Sequence, residues 1–383
     1  MTSRRQWYHR PVARGFRQLQ LLALISTALS AQGSADEALL NQIQVLGSHN
    51  SYKKAIDPPL LKLLRENNPD SHKGLEYAHV SLPRQLDLGL RKLELDVFHD
   101  PEGGRYRRPY GLEMLRQANL LPEPPYDPQG FMQKPGLKVL HIQDIDFRSH
   151  VYTFRQALLE LRAWSNAHPR HLPIVITMNA KDSSGRDPNS TPALPFDKEA
   201  FDAWDAEIHE ILPDEKLLTP DDVRGAYLTL EAAVLDHAWP TLGESRGRFL
   251  FVLDETGEKL DTYLQGHSSL RGRVMFVNAM EGRPEAAFRI VNDPIEDFQY
   301  IQRLVRAGYL VRTRADANTQ EARQGDYRRM EAAFDSGAQF ISTDYYLPNP
   351  EFGTGYQVRL PGGGPGRWNP LLSPSNRPET PLE

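Results

Sequence analysis

The stretch Lys-Leu-Glu-Leu-Asp-Val-Phe, residues 92–98, decides the fold. Apolar residues alternate in it with charged ones, which is typical of a β-strand because successive strand side chains point to opposite faces. Glu94 and Asp96 are two residues apart and therefore share one face. Seven other short apolar runs predict further strands, and the eight candidates are residues 43–47, 92–98, 138–142, 173–178, 248–253, 273–277, 308–313 and 339–343.

The segments between several candidate strands change to the apolar spacing of a helix. One such stripe consists of Phe154, Leu158, Leu161 and Trp164. Another precedes the seventh strand and ends at Gly308. Strand and helix alternating around eight strands predict a (β/α)8 TIM-type barrel of the α/β class. An open doubly wound sheet is the structural alternative.

Residues 99–135 and 182–247 do not fit this repeat. The first stretch is rich in Pro, Gly and Arg, and the second combines a Pro/Ser-rich part with helical segments. We interpret both as long loops on the rim of a single domain that spans residues 36–360. Residues 361–383, rich in Gly and Pro, are predicted to form an irregular C-terminal tail.

The first 35 residues differ from the rest of the chain. Several arginines precede the first acidic residue, Asp36, and the apolar run 19–29 follows them. That run is too short to span a bilayer, and small residues come after it, which is the pattern of a secretory signal peptide. An uncleaved anchor is the alternative. We therefore predict a secreted or periplasmic protein with no transmembrane span once residues 1–35 are removed.

The composition excludes several classes of protein. A chain of 383 residues with 39% hydrophobic and 25% charged residues is typical of a globular protein. The net charge of −5 is not the positive charge that is typical of a protein that binds nucleic acid. Because the chain has no cysteine, disulfides, thiol catalysis and thiolate metal sites are excluded. We expect a monomer that binds no nucleic acid.

Polar residues stand where the candidate strands end, and in a barrel these ends face the active site. Glu94 and Asp96 would be buried together, which is costly unless a positive charge lies between them. A calcium ion would supply that charge, since carboxylate and amide oxygens are its preferred ligands. Neutral histidines could transfer protons near neutral pH. The strand-end residues are Ser48, His49, Asn50, Glu94, Asp96, His141, Asn179, Arg312, Arg314 and Asp344.

Each member of this set also has a purely structural interpretation. Either histidine alone could lie on the surface, and the Glu94–Asp96 pair could lie on an exposed edge. The two arginines could be solvated or could form structural ion pairs. The set is more informative than any member, because polar residues ending successive strands in one register are hard to explain structurally.

Several segments resemble a known family. Residues 47–52 (GSHNSY), 91–100 (RKLELDVFHD) and 138–144 (KVLHIQD) are similar to the X-type catalytic signature of phosphoinositide-specific phospholipase C. Residues 310–346 and 356–363 resemble the secreted bacterial calcium-dependent members. The resemblance covers most of the chain between residues 43 and 363, and it rests on the ordered set of motifs rather than on any one of them.

This resemblance implies a barrel enzyme that cleaves phosphatidylinositol-type phospholipids at a membrane surface into diacylglycerol and an inositol cyclic phosphate. By motif position, His49 would stabilise the pentacoordinate phosphoryl transition state, and His141 would protonate the departing diacylglycerol oxygen. Glu94 would be the candidate base for the inositol 2-hydroxyl, whose pKa a calcium ion would lower. The calcium ligands implied are Asn50, Glu94, Asp96 and Asn179.

Asn179 departs from the family's pattern, which usually has a metal-binding glutamate at this position. An amide oxygen can still bind calcium, but the site loses one negative charge. Weaker calcium affinity, a shifted substrate or lost activity would each be a possible consequence. Contacts to the substrate are expected from Lys181, Arg312 and Arg314.

Two other functions compete with this one. A glycerophosphodiester phosphodiesterase shares the barrel and similar His and Glu-x-Asp residues, but a His-Arg pair after the first strand would favour it. This chain has His49-Asn50 there, which favours the phospholipase. A non-catalytic phospholipid-binding barrel is the alternative from a different class, and Asn179 motivates it.

Overall fold

The computed structural model describes residues 1–2, 35–67, 70, 72–122, 124–185, 188–374 and 381–383. The predicted signal peptide, residues 1–35, falls almost wholly on residues 3–34, which lie outside this part of the chain. Among the described residues, no helix is long and apolar enough to cross a membrane.

Strands and helices alternate along most of the described chain. The strands are β1 (Ile43–Ser48), β2 (Lys92–Phe98), β3 (Lys138–Val139), β4 (Ile174–Lys181), β5 (Phe249–Leu253), β6 (Phe276–Val277), β7 (Phe288–Ile290), β8 (Leu310–Arg314), β9 (Phe340–Thr343) and β10 (Arg367–Trp368). The α-helices are α1 (Pro58–Asn67), α2 (Leu82–Asp87), α3 (Tyr110–Gln117), α4 (Phe154–Ala167), α5 (Lys198–Ile211), α6 (Pro220–Arg224), α7 (Leu230–Leu235), α8 (Leu242–Ser245), α9 (Gly257–Leu264), α10 (Phe298–Ala307), α11 (Gln320–Gln324) and α12 (Arg328–Asp335). Short 3-10 helices cover Ala35–Glu37, Leu40–Gln42, Lys73–Leu75, Phe131–Gln133, Asp214–Lys216, Ser268–Leu270 and Pro350–Phe352.

Parallel strands form a barrel. The sheet runs in the order β6, β5, β4, β2, β1, β9, β8, β7. A parallel bridge between Asn278 and Phe288 joins its two ends, directly after β6 and at the start of β7. The predicted (β/α)8 barrel is therefore confirmed, and the open doubly wound sheet is excluded because the edges meet.

The third predicted strand, residues 138–142, is not a barrel strand. Only β3 forms there, and it pairs antiparallel with the end of β2, where Val139 lies opposite Val97. The barrel strand that the sequence did not predict is β7. It has three residues, and no helix separates it from β6, so the alternation of strand and helix that marks the other barrel strands is missing there.

Helix α4 shows how the outer layer forms. The Thr153 hydroxyl accepts a hydrogen bond from the backbone N–H of Gln156 at 3.1 Å and so begins the helix. The predicted stripe is buried along its whole length. Burying one such large apolar side chain is worth roughly 1.5–3 kcal/mol, and this stripe therefore fixes α4 on the barrel. Gly308, at φ 107°, ends α10 as predicted.

The two long stretches have different roles. In residues 182–247, the helix α5 belongs to the outer layer rather than to a rim loop, because Trp204 is buried with its ring 6.1 Å from that of Phe154. Residues 99–135 contain α3 and form a second, smaller core on the rim together with α1. Its buried members are Ile56, Leu60, Leu64, Phe98, Tyr106, Leu115, Met132, Leu140 and Phe147.

The C-terminal tail is less irregular than expected. Its strand β10 pairs antiparallel with β1, where Trp368 lies opposite Ile43. At the chain end, Arg91 Nε donates to Glu383 Oε2 at 2.9 Å, and Leu382 is buried. The tail therefore covers the end of the barrel opposite the carboxyl ends of its strands.

Candidate active site

The carboxyl ends of the barrel strands bring most of the predicted site residues to one mouth. The approach of β1 to β2 depends on Gly47, since a Cβ there would overlap the carbonyl oxygen of Lys92. Asn50 adopts φ 47°, a left-handed conformation that asparagine tolerates better than most residues. The motif Gly-Ser-His-Asn thus ends a strand and turns the chain sharply beside Glu94.

His49 lies between three charged groups. Its Nδ1 donates to Asp344 Oδ1 at 2.9 Å. Its Nε2 lies 3.5 Å from Glu94 Oε1 and 3.4 Å from Arg314 Nη1. Burial and the charge of Arg314 lower the pKa of His49, although the two carboxylates act in the opposite direction. The imidazole is therefore mainly neutral at pH 7, with Nε2 facing the mouth as an acceptor.

Glu94 is held by two cations. Lys92 Nζ donates to its Oε2 at 2.7 Å, and Arg312 Nη2 donates to the same oxygen at 2.8 Å. Burial opposes ionisation of Glu94, but these cations outweigh it and hold its pKa well below the usual range. Burial lowers the pKa of Lys92, and the carboxylate beside it opposes that shift and favours the charged ammonium group. Glu94 is therefore ionised.

Asp96 is paired with the residues of β4. Asn179 lies opposite it in the sheet, and Asn179 Nδ2 donates to Asp96 Oδ1 at 3.0 Å. Lys181 Nζ lies 3.3 Å from Asp96 Oδ2. Asn50, the other predicted amide ligand, donates through Nδ2 to the Tyr77 hydroxyl at 2.7 Å. Both amides thus use their nitrogen atoms for protein contacts.

The four predicted calcium ligands fit the chemistry of that ion. Because Asn50 and Asn179 donate through nitrogen, their amide oxygens remain available to a hard cation. Only Glu94 and Asp96 bring charge, and the part of the chain described here contains no group of three or more His, Cys, Asp or Glu side chains that could hold a metal. Since ligand charge controls calcium affinity, we expect weaker binding than a site with three carboxylates would give.

His141 lies after β3 and is oriented by Asp146. Its Nδ1 donates to Asp146 Oδ2 at 2.7 Å, and its side chain is 16% exposed. The other oxygen of Asp146 lies 3.3 Å from the Nζ atom of Lys53, which is fully buried. Lys53 Nζ also lies 4.6 Å from the centre of the Tyr77 ring. Each of the two histidines therefore has its own carboxylate, and Tyr77 contacts both the ring of His49 and the ammonium group of Lys53.

The three predicted substrate contacts differ in accessibility. Arg312 is 3% exposed and donates hydrogen bonds to Glu94 and to Ser342. The Ser342 hydroxyl accepts from Nε at 2.9 Å. Arg314 is 14% exposed and donates to Asp344 at 3.2 Å while reaching Nε2 of His49. Lys181 is 34% exposed. Arg312 is therefore placed to position Glu94, whereas the other two can also reach a ligand in the mouth.

Sequence reasoning missed several members of the site. The spacing of Lys92 and Glu94 in one strand already indicated that they share a face, and that signal was not used. The position of Asp344 at its strand end does not reveal its role, and Asp146 stands at no strand end. Asp316, also missed, accepts the backbone N–H of Asp344 at 2.8 Å, and burial raises its pKa.

A family model and solved structures are similar to this chain. A family model described as Ca2+-dependent phosphoinositide phospholipase C matches residues 39–370. No curated protein matches the chain. A calcium-dependent phosphoinositol-specific phospholipase C from a Gram-negative Pseudomonas species is 15% identical, covers 87% of this chain and 96% of its own, and superposes with a TM-score of 0.50. A Ca2+-dependent phosphatidylinositol-specific phospholipase C from Streptomyces antibioticus is 18% identical, with 83% and 97% covered and a TM-score of 0.49.

Proposed function

The chain belongs to the Ca2+-dependent phosphoinositide phospholipase C family, and on that premise we propose that it cleaves phosphatidylinositol-type phospholipids into diacylglycerol and an inositol cyclic phosphate. The observation that carries the proposal is the pair of histidines at the barrel mouth. His49 is bound to Asp344 and His141 to Asp146, and His49 faces Glu94. One base and one acid on either side of a phosphodiester are what such a cleavage needs.

His49 would accept the proton of the attacking 2-hydroxyl. With Nδ1 donating to Asp344, the neutral ring keeps Nε2 as its acceptor. Glu94, the base implied by the family resemblance, is less suited to this role because Lys92 and Arg312 hold its pKa far below neutrality. Once protonated, His49 would stabilise the pentacoordinate phosphoryl group together with Arg314.

Calcium would be held by Asn50, Glu94, Asp96 and Asn179. When bound, it lowers the pKa of the inositol 2-hydroxyl and compensates the charge of the phosphate. The contacts of Lys92 and Arg312 keep Glu94 ionised and fixed, so that one of its oxygens stays directed at the mouth. Lys181, the most exposed cation of the three predicted substrate contacts, would bind a phosphate oxygen.

His141 would protonate the diacylglycerol oxygen as it leaves. Nδ1 donates to Asp146, which fixes the orientation of the ring. Lys53, buried against Asp146, fixes the carboxylate in turn. Nε2 of His141 would therefore be the atom that delivers the proton.

The protein would act as an exported monomer at a membrane surface. Residues 1–35 have the features of a secretory signal peptide, which supports a secreted or periplasmic location. Lipid contact would rest on the rim of the barrel mouth, where Leu121, Met280, Ile295 and Leu347 are exposed. Exposed large apolar side chains on a rim are suited to the head-group region of a bilayer.

Phosphorus NMR on a soluble short-chain phosphatidylinositol tests the proposal. With calcium, the diester signal should give way to that of a five-membered inositol cyclic phosphate, and chelation of calcium should stop the change. Phosphatidylcholine is the control and should persist. Glycerophosphoinositol accepted in preference to the diacyl lipid, with an acyclic product, would favour the glycerophosphodiesterase, and an unchanged spectrum would favour a non-catalytic barrel.

A further inference from the structure

A large apolar groove adjoins the barrel mouth. It lies between α1 and the segment that follows β9, and its volume is about 870 Å3. Its walls include Ile56, Leu61, Leu75, Val80 and Leu347. Ligand sites are commonly apolar concavities of roughly 300–1,000 Å3, so this groove, which we call the α1 groove, has the size and lining of one.

Two of the charged residues that line the α1 groove, Arg65 and Glu76, form an ion pair with each other. Glu76 in its wall accepts from Arg65 and from Arg323, each at 2.7 Å. Leu347 on the opposite side is 42% exposed although it is a large apolar residue. The groove therefore offers apolar surface that an apolar ligand can cover.

The inner end of the α1 groove reaches the catalytic groups. Tyr77 and Asp344 line it. Asp344 binds His49, and the ring centre of Tyr77 lies 5.9 Å from that of His49. On its other side, Tyr77 contacts Lys53, the partner of the carboxylate that orients His141. The groove and the catalytic site therefore share two wall residues, Tyr77 and Asp344.

We propose that the α1 groove binds an acyl chain of the lipid substrate, so that the diacylglycerol half lies along α1 while the head group occupies the barrel mouth. This inference rests on the proposed function, whose leaving group is apolar. Continuity with the site and the apolar lining support that occupant. Burial in the groove would stabilise binding of an apolar chain, whereas a water-soluble head group has little apolar surface to bury there.

The test uses monomeric phosphatidylinositols of increasing chain length, each below its critical micelle concentration. In the native protein, kcat/KM should rise roughly two- to fourfold for each methylene that becomes buried. Ala78 is exposed and lines the groove, so Ala78→Trp should obstruct it and flatten this dependence. The matched control is Ala206→Trp on the exposed face of α5, which should keep the native dependence.

Ala78→Trp also distinguishes binding in the groove from membrane binding, because it adds apolar area at the surface while it obstructs the groove. Vesicle binding should stay or increase even as the chain-length dependence is lost. If kcat/KM of Ala78→Trp rises with chain length as it does in the native protein, the proposal is overturned. It is also overturned if the native protein cleaves every substrate and its kcat/KM does not change with chain length. A dimer of the native protein that Ala78→Trp abolishes would identify a second copy as the occupant and overturn it too.

The absence of any cleavage would contradict the proposed function. Binding of an alkyl chain in the groove would then be measured directly. The probe is dansyl-labelled undecanoic acid at monomeric concentration. Saturable binding to the native protein that Ala78→Trp weakens at least tenfold and Ala206→Trp does not would support an alkyl-chain site. Equal binding by all three proteins, or none, would overturn it.

Discussion

Asp344 Oδ1 lies 2.9 Å from His49 Nδ1, and the two residues follow the neighbouring strands β9 and β1. The carboxylate is itself fixed, because Asp316 accepts its backbone N–H at 2.8 Å and Arg314 donates to its second oxygen at 3.2 Å. Burial opposes the ionisation of Asp344, but His49 and Arg314 keep its pKa low. The geometry determines which nitrogen of His49 carries the proton.

Asp344→Asn should therefore lower kcat on a soluble phosphatidylinositol by about 10²- to 10⁴-fold, the usual value of a positioned base. An amide can donate to Nδ1 and so turn the neutral ring to the wrong tautomer. Asp326→Asn, at a carboxylate that pairs with the exposed Arg328, is the control and should leave kcat unchanged. A native-like kcat in Asp344→Asn would remove Asp344 from the positioning role.

Asn179→Glu should tighten calcium binding. The substitution places a third carboxylate beside Asp96, at the position opposite it in the sheet, and each tenfold gain corresponds to about 1.4 kcal/mol. Asp96→Asn is the opposite change and should weaken binding and lower activity by orders of magnitude. Calorimetric titration of calcium into the three proteins measures this. Flat or weaker affinity in Asn179→Glu would count against Asn179 as a metal ligand.

His141→Ala should reduce cleavage of phosphatidylinositol by about 10²- to 10⁴-fold, because the diacylglycerol oxygen must be protonated as it leaves. An inositol phosphodiester with a p-nitrophenol leaving group needs no such proton and should lose far less. Rates of both substrates in native and variant protein give the comparison. Equal losses on the two substrates would exclude His141 as the general acid.

Stability should depend on pH through His171, which is buried at the base of the barrel and hydrogen-bonded to Ser165 and to the carbonyl of Leu172. Burial lowers its pKa to about 4. The unfolded chain takes up this proton near pH 6.5 and the folded chain only near pH 4. The free energy of unfolding should therefore be fully maintained above pH 6.5 and fall towards pH 4 by up to roughly 3 kcal/mol.

Urea unfolding at pH 7 and pH 4.5 measures this dependence. His171→Gln should reduce the difference between the two pH values, and His209→Gln, at an exposed histidine, should not. His79, whose pKa burial also lowers to about 4, would account for part of what remains. An unchanged difference in His171→Gln would show that His171 does not cause the pH dependence.

The fold was predictable from the sequence except where pairing direction and strand length matter. Residues 138–142 have the apolar alternation of a barrel strand, but alternation does not reveal that β3 runs antiparallel to β2. The three residues of β7 are too few to show any period. The barrel closes through Phe288, and this closure depends on contacts with neighbouring strands rather than on the local sequence.

The site was predictable as a set of strand-end residues but not as a set of contacts. The spacing of Glu94 and Asp96 correctly placed both side chains in the interior. That Arg312 binds Glu94 rather than standing free could not be derived, because the two residues lie 218 positions apart in the chain. The carboxylates that orient the histidines likewise depend on which loops meet at the barrel mouth.

Diacylglycerol release from vesicles measures whether this barrel cleaves phosphatidylinositol in a calcium-dependent reaction. Purified protein without residues 1–35 is added to vesicles of phosphatidylinositol and phosphatidylcholine, with calcium or with a chelator. We expect diacylglycerol from phosphatidylinositol alone, only with calcium, and not from His141→Ala. Equal release of diacylglycerol with calcium and with the chelator would contradict calcium-dependent cleavage. So would the absence of diacylglycerol at every calcium concentration.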